Sequence, residues 1–171
     1  MSFARAPGLT GMQRITTNLW FDNQAEEAAN YYCSIFPASR IVHVARYTES
    51  APGETGTVMV VEWELDGQHF VGINGGPQFQ FSEAISLQVN CETQNEIDYY
   101  WERLTDGGEE GPCGWCKDRY GLSWQVTPTG MDEMFSDPDP GRADRAMKAM
   151  LEMKKINLQA LRDAADGVPA G

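Results

Sequence analysis

The residues that could do chemistry concentrate in one late stretch, Gly111 to Pro128. It holds Cys113 and Cys116 as C-x-x-C, the turn Asp118-Arg119-Tyr120-Gly121, and Ser123, Gln125 and Thr127 at alternate positions. C-x-x-C is a metal or redox spacing. A structural zinc site needs four ligands, yet Cys33 and Cys91 are single and the two histidines, His43 and His69, lie far apart in sequence. A thioredoxin-like pair opens a helix after a strand, whereas this pair leads into a turn and a strand. The cysteines are therefore read as reduced thiols. The row at Ser123, Gln125 and Thr127 reads differently. Leu122 to Thr127 alternates faces as a strand does, so two hydroxyls and an amide oppose Leu122, Trp124 and Val126. A polar row of this kind is either solvated or lines a cavity.

The remaining elements must position that hairpin. Ile15 to Phe21 predicts a strand, and Ala25 to Phe36 a helix with Ala28, Tyr31, Tyr32, Ile35 and Phe36 as its apolar stripe. Pro37 cannot continue it. Arg40 to Tyr47 predicts a strand. Val58 to Leu65 and Gln68 to Ile73 predict a hairpin closed by Asp66-Gly67 as a type I′ turn. The order then repeats: a strand over Ala84 to Val89, a helix over Asn95 to Leu104, a loop with room for a short strand over Gly107 to Gly114, and the hairpin described above. Glu27, Tyr31 and Ile35 match Glu96, Tyr100 and Leu104 at a constant offset of 69. Two β-α-β-β-β modules are thus expected, at about 13–76 and 82–128, within a domain spanning 13–128. A helical extension over 137–166 follows, capped at Asp139-Pro140 and again at Asn157. Its stripe of Ala143, Ala146, Met147, Met150 and Leu151 packs either on its own domain or on a partner subunit.

Composition excludes several classes. The chain has 171 residues, 42% of them apolar, and a net charge of −12. Residues 1–139 carry 7 basic and 21 acidic side chains, which leaves −14, and residues 140–171 carry 6 and 4, which leaves +2. Such a body repels nucleic acid and anionic lipid. No apolar run reaches membrane-spanning length. Met1 to Gly11 lacks the apolar core of a signal peptide and reads as a loose arm. A cytoplasmic protein is expected.

Specific runs resemble a known family. Leu19-Trp-Phe-Asp22, Glu26-Glu-Ala-Ala-Asn-Tyr-Tyr32, Asn74-Gly-Gly-Pro-Gln-Phe79, Gly111-Pro-Cys-Gly-Trp115, Lys117-Asp-Arg-Tyr-Gly-Leu-Ser-Trp-Gln-Val126 and Met150-Leu-Glu-Met-Lys-Lys-Ile156 are similar to the PhnB-like family. Its members are often labelled 3-demethylubiquinone-9 3-methyltransferase domains, within the vicinal oxygen chelate (glyoxalase/bleomycin-resistance/dioxygenase) superfamily. The resemblance implies an α+β fold, with paired βαβββ modules forming a U-shaped eight-stranded sheet, helices outside it, and commonly a homodimer.

The superfamily's enzymes hold a divalent metal with His or Glu on four strands. Those positions carry over to Ile15, Phe70, Ala84 and Gln125, which do not make a ligand set, so no metal and no cofactor is expected. With Phe70 taken as cavity-facing, alternation assigns Thr17, Trp63, Phe70, Asn74, Ser86, Gln88, Ser123 and Gln125 to the wall of a pocket for an unidentified small molecule. Cys113 is placed near the pocket mouth, and Glu62, Glu64 and His69 fall on the opposite, solvated face. The methyltransferase label finds no S-adenosylmethionine loop, because Asp22-Asn-Gln-Ala follows the first strand and Asn74-Gly-Gly-Pro77 precedes no helix. The expected function is small-molecule binding without the superfamily's metal site. A metal-dependent glyoxalase- or dioxygenase-type enzyme and a dimeric ligand-sequestering protein of the resistance type are the alternatives.

Overall fold

A computed structural model describes residues 15–168 of the chain, so the proposed arm at Met1 to Gly11 lies outside the described residues. Two compact units emerge, one up to Gln80 and one from Phe81 onward. The first contains β1 (Thr17–Phe21), α1 (Ala25–Ile35), β2 (Arg40–Arg46), β3 (Val58–Leu65) and β4 (Gln68–Asn74). The second contains β5 (Ser86–Cys91), α2 (Gln94–Thr105), β6 (Glu109–Glu110), β7 (Trp115–Lys117), β8 (Ser123–Pro128), α3 (Met131–Phe135), α4 (Pro140–Leu151) and α5 (Leu158–Asp166). Each unit has one four-stranded sheet, ordered β1-β4-β3-β2 and β5-β8-β7-β6. In both, the first strand runs parallel to the last and the other pairings are antiparallel. No helix among the described residues is long and apolar enough to cross a membrane.

Asp66 and Gly67 both adopt positive φ, at 46° and 76°, as a type I′ turn requires. That turn pairs Glu64 with His69 and Trp63 with Phe70. In the second unit a capping box starts α2: Thr93 accepts from the Glu96 amide while Glu96 accepts from the Thr93 amide.

The two helices bury equivalent stripes. Ala28, Tyr32 and Ile35 on α1 correspond to Ile97, Trp101 and Leu104 on α2, again at an offset of 69, and all six are buried. The strands do not follow that offset. Leu19 and Phe21, buried on the helix side of β1, correspond to Val89 and Cys91 on β5, at an offset of 70. The difference lies in the strand-to-helix connections, residues 22–24 in the first unit and 92–93 in the second. One residue of slip moves every side chain of a strand to the other face.

The first module's cavity-face assignment is corrected. Trp63 is fully buried, stacked between Tyr32 of α1 and Phe70, with ring centroids 6.1 and 5.7 Å away. Thr17, Phe70, Gly72 and Asn74 share this helix-covered side through the β1/β4 register. The open face of the first sheet carries Asn18, Trp20, Val60, Glu62, His69, Val71 and Ile73 instead.

The helical extension joins the second unit. Cys113 and Gly114 donate their amides to the Met153 and Lys154 carbonyls, each at 2.7 Å. Gln94 donates to the Ile156 carbonyl and accepts from the Leu158 amide, and Ile156 is fully buried. Lys154 pairs with Glu110, and Lys155 with Asp98. Residues 153–158 thus strap the tail to its own domain. A β-carbon on Gly114, at φ 81°, would lie 2.7 Å from the Val126 carbonyl oxygen, so glycine is required under the strap. Asp139 and Asn157 cap α4 and α5 as expected. Only Ala146 of the α4 stripe is buried, while Met147 and Leu151 remain exposed.

Candidate functional site

The second sheet keeps the polar row where the alternation puts it. β5 and β8 pair Ser86 with Ser123 and Gln88 with Gln125. On the other side of β8, β7 pairs Trp115 with Gln125 and Lys117 with Ser123. Side chains paired in register share a face, so these six form one surface away from the α2 core of Ile97, Trp101, Leu104 and Val126. Gln125 Nε2 donates to Ser86 Oγ at 2.8 Å, which fixes the amide orientation. Gln88 donates instead to Asn90 and stays exposed.

A cavity of about 380 Å³ opens beside this surface. Trp115, Pro112, Ser123, Lys117, Glu83 and Glu109 are among its walls. Ser123 is 1% exposed, and its Oγ has no hydrogen-bond partner among the described residues. A buried hydroxyl without a partner costs about 1–3 kcal/mol, and this oxygen has almost no accessible surface, so a ligand meets it only when the cavity wall yields. Lys117 Nζ lies 2.6 Å from Glu83 Oε1. That hydrogen bond holds the Glu83 carboxyl below its ordinary 4.5 and the Lys117 ammonium above its ordinary 10.5, so both stay charged near neutrality.

Of the residues expected at a pocket, Ser86, Gln88, Ser123 and Gln125 come together. Thr17, Trp63, Phe70 and Asn74 do not join them, because they face α1. Asn74 is occupied structurally: its Oδ1 accepts from the Ala25 amide at 2.9 Å, and its Nδ2 donates to the Val58 carbonyl at 3.1 Å. It borders a larger hollow of about 710 Å³ in the first unit, whose walls include Asp22, Glu26, Glu27 and Glu54. Cys113 is not among the lining residues of the smaller cavity. Its backbone is held by the tail strap at φ 57°. Burial pushes the Cys116 thiol up to about 12, which suits a packed thiol and not a nucleophile. Asp118 is 2% exposed and accepts from the Tyr120 amide, the Leu122 amide and Trp124 Nε1 at 2.9, 3.1 and 2.8 Å. It braces the turn, as an Asx residue does.

Sequence reasoning missed Trp115, Lys117, Glu83 and Glu109 as wall residues. The register of the β7–β8 hairpin carries the first two, but a turn confined to Asp118 to Gly121 would set Lys117 opposite Leu122; the loop includes Leu122, which sets Lys117 opposite Ser123. Glu109 arrives through the β6–β7 pairing opposite Lys117, and Glu83 through its contact with Lys117 across the sequence.

The first sheet's open face also holds titratable groups. His69 Nε2 lies 3.2 Å from Glu62 Oε2, and His43 pairs in register with Glu62. Among the described residues no group of three His, Cys, Asp or Glu side chains could hold an ion. The positions matched to the superfamily's metal ligands do not fit a divalent cation. Ile15 offers hydrocarbon, Phe70 a ring buried under α1, Ala84 a methyl, and Gln125 an amide already committed to Ser86.

Two β-α-β-β-β units with this strand order define a glyoxalase-like protein of the vicinal oxygen chelate superfamily. The family model described as 3-demethylubiquinone-9 3-methyltransferase matches residues 13–127, and the chain belongs to that PhnB-like family. The solved PhnB protein of Bacillus cereus is 41% identical; the match covers 68% of this chain and 100% of that one, with a TM-score of 0.62. Protein PA1353 of Pseudomonas aeruginosa shares the fold at 16% identity, covering 68% and 98%, with a TM-score of 0.58. A glyoxylase/bleomycin resistance protein/dioxygenase domain of Frankia matches at 18% identity, covering 70% and 97%, with a TM-score of 0.41. No curated protein matches the chain.

Proposed function

We propose that this chain binds a small molecule in the cavity of its second unit and does so without the metal site of its superfamily. The observation that carries this reading is the Ser123 hydroxyl, buried and unpartnered on the wall of a cavity about 380 Å³ in size. Ligand sites combine apolar walls with a few polar groups, and Trp115, Pro112, Ser123 and Lys117 supply both, while Ser86, Gln88 and Gln125 are not among the lining residues. Lys117 is held protonated and Cys116 stays a thiol, so near neutral pH neither serves as a general base. Methyl transfer gains no support, since Asn74-Gly-Gly-Pro77 ends β4 and opens no helix. The protein works in the cytoplasm, away from nucleic acid and membranes, as a homodimer.

Mass spectrometry of what co-purifies after gentle denaturation tests the binding reading. A small molecule that Ser123→Ala retains less well supports it. A molecule retained equally by Ser123→Ala and lost on Glu62→Gln contradicts it. Light scattering tests the dimer, and a monomeric mass refutes it.

A metal-dependent enzyme is the alternative reading, although no group of three His, Cys, Asp or Glu side chains among the described residues supplies it a ligand set. Near-stoichiometric metal in purified protein, with a lower Tm on chelation, would establish it over the first.

A further inference from the structure

The walls of the second unit's cavity bear on the kind of molecule it takes. They carry three carboxylates, Glu83, Glu109 and Glu110, against one ammonium, Lys117. Two of the carboxylates are committed. Glu83 holds Lys117. Glu110 accepts from Trp101 Nε1 at 3.1 Å and pairs with Lys154, and both partners keep its carboxyl below the ordinary value. Glu109 sits in register with Lys117 and acts on its ammonium at longer range, while its carboxylate makes no side-chain hydrogen bond or ion pair among the described residues. An entering anion could reach Lys117 only by displacing Glu83, and would then face two unneutralised carboxylates. An entering cation finds Glu109 open, in the field of a chain at −12. Trp115 offers an indole surface, which suits both an apolar ring and a nearby cation. Ser123 Oγ, unpartnered but buried behind the wall, can accept from an ammonium N–H or pair with a ligand hydroxyl once the wall yields.

We infer that the cavity takes a small protonated amine with an apolar, ring-sized body, the ammonium directed at Glu109 and Ser123 and the ring against Trp115. This rests on the proposal that the cavity is a ligand site, and adds the sign of the ligand's charge.

The experiment uses three probes of one shape: phenethylamine, the neutral phenethyl alcohol and the anionic phenylacetate. Each is titrated into the full chain and followed by the Trp115 indole N–H resonance, assigned with Trp115→Phe. The amine should bind about threefold more tightly than the alcohol, the scale of an exposed ion pair, and phenylacetate most weakly. Glu109→Gln should erase the gap between amine and alcohol. Raising salt to about 300 mM should narrow it in the wild-type protein. Phenylacetate binding more tightly than the amine, or an amine preference untouched by Glu109→Gln, would overturn the inference while leaving the cavity a ligand site. No response of the Trp115 resonance to any of the three would overturn the ligand site and the inference together.

Discussion

Ser123→Ala should raise the stability of the ligand-free protein while lowering its affinity for ligand. The hydroxyl is 1% exposed with no partner among the described residues, so the free protein carries a desolvated dipole. Removing one oxygen and keeping the β-carbon leaves packing on β8 almost unchanged. Relief of a penalty of about 1–3 kcal/mol, less the small loss of contact, should give about 1 kcal/mol of added stability. For a chain of this size that is a Tm increase of about 2–4 °C. With ligand present the same oxygen supplies a hydrogen bond worth about 0.5–1.5 kcal/mol, so affinity should fall roughly two- to tenfold. Thermal and urea unfolding read the first effect, and titration with any ligand that shifts the Trp115 indole resonance reads the second. A mutant that melts several degrees lower would refute the reasoning, because it would mean the hydroxyl is satisfied in the free protein. Unchanged affinity would remove Ser123 from the site.

Three further outcomes follow from named contacts. Asp118→Asn sets an amide donor or a turned carbonyl against the three donors that Asp118 now accepts; a loss of about 1.5–3 kcal/mol in urea unfolding is expected, and a neutral result would mean the turn needs no brace. Asn74→Ala removes the acceptor at the start of α1 and should cost about 1–2 kcal/mol with ligand affinity unchanged; lost affinity would return Asn74 to the binding site. The tail strap should loosen in acid. Trp101 and then Lys154 hold Glu110 below its ordinary 4.5, and Lys155 and then Gln94 hold Asp98 below its ordinary 3.8. A depressed folded-state value gives stability that is present above the ordinary value and lost as pH falls through the folded one. Protection factors of the Cys113 and Gly114 amides should therefore fall as pH drops below 4.5 and 3.8, and constant protection would show that the ion pairs do not hold the strap.

Much of the fold is legible because local physics decides it. The Asp66-Gly67 turn, the Asp139 and Asn157 caps and the helical stripes each follow from a few adjacent residues. The second module's site face is legible for the same reason: Ser123 and Gln125 alternate with residues that must be buried. The first module's face comes from the resemblance, which sets Phe70 toward the cavity, and alternation then carries Thr17, Trp63 and Asn74 with it. Phe70 and Trp63 are aromatic on either reading, and only the packing of Tyr32 and Ala25 against that side shows which face the helix covers. Tyr31 and Phe36 miss the core because the helix presents Ala25 and Ala29 there instead. The extension's docking was open in the sequence because an amphipathic helix does not name its partner. The backbone bonds at Met153 and Lys154 identify one partner as the chain's own second unit.

The central claim is that the ligand site lies at Trp115, Lys117 and Ser123 of the second unit. Amide and indole chemical-shift mapping of the isotopically labelled full chain against a library of small fragments tests it most directly. The account predicts that bound fragments shift residues around Glu83, Glu109 to Lys117 and Ser123 to Gln125, with Trp63 and Phe70 unmoved under α1. Shifts centred on His43, Glu62 and His69 would contradict it and place the site on the open face of the first sheet.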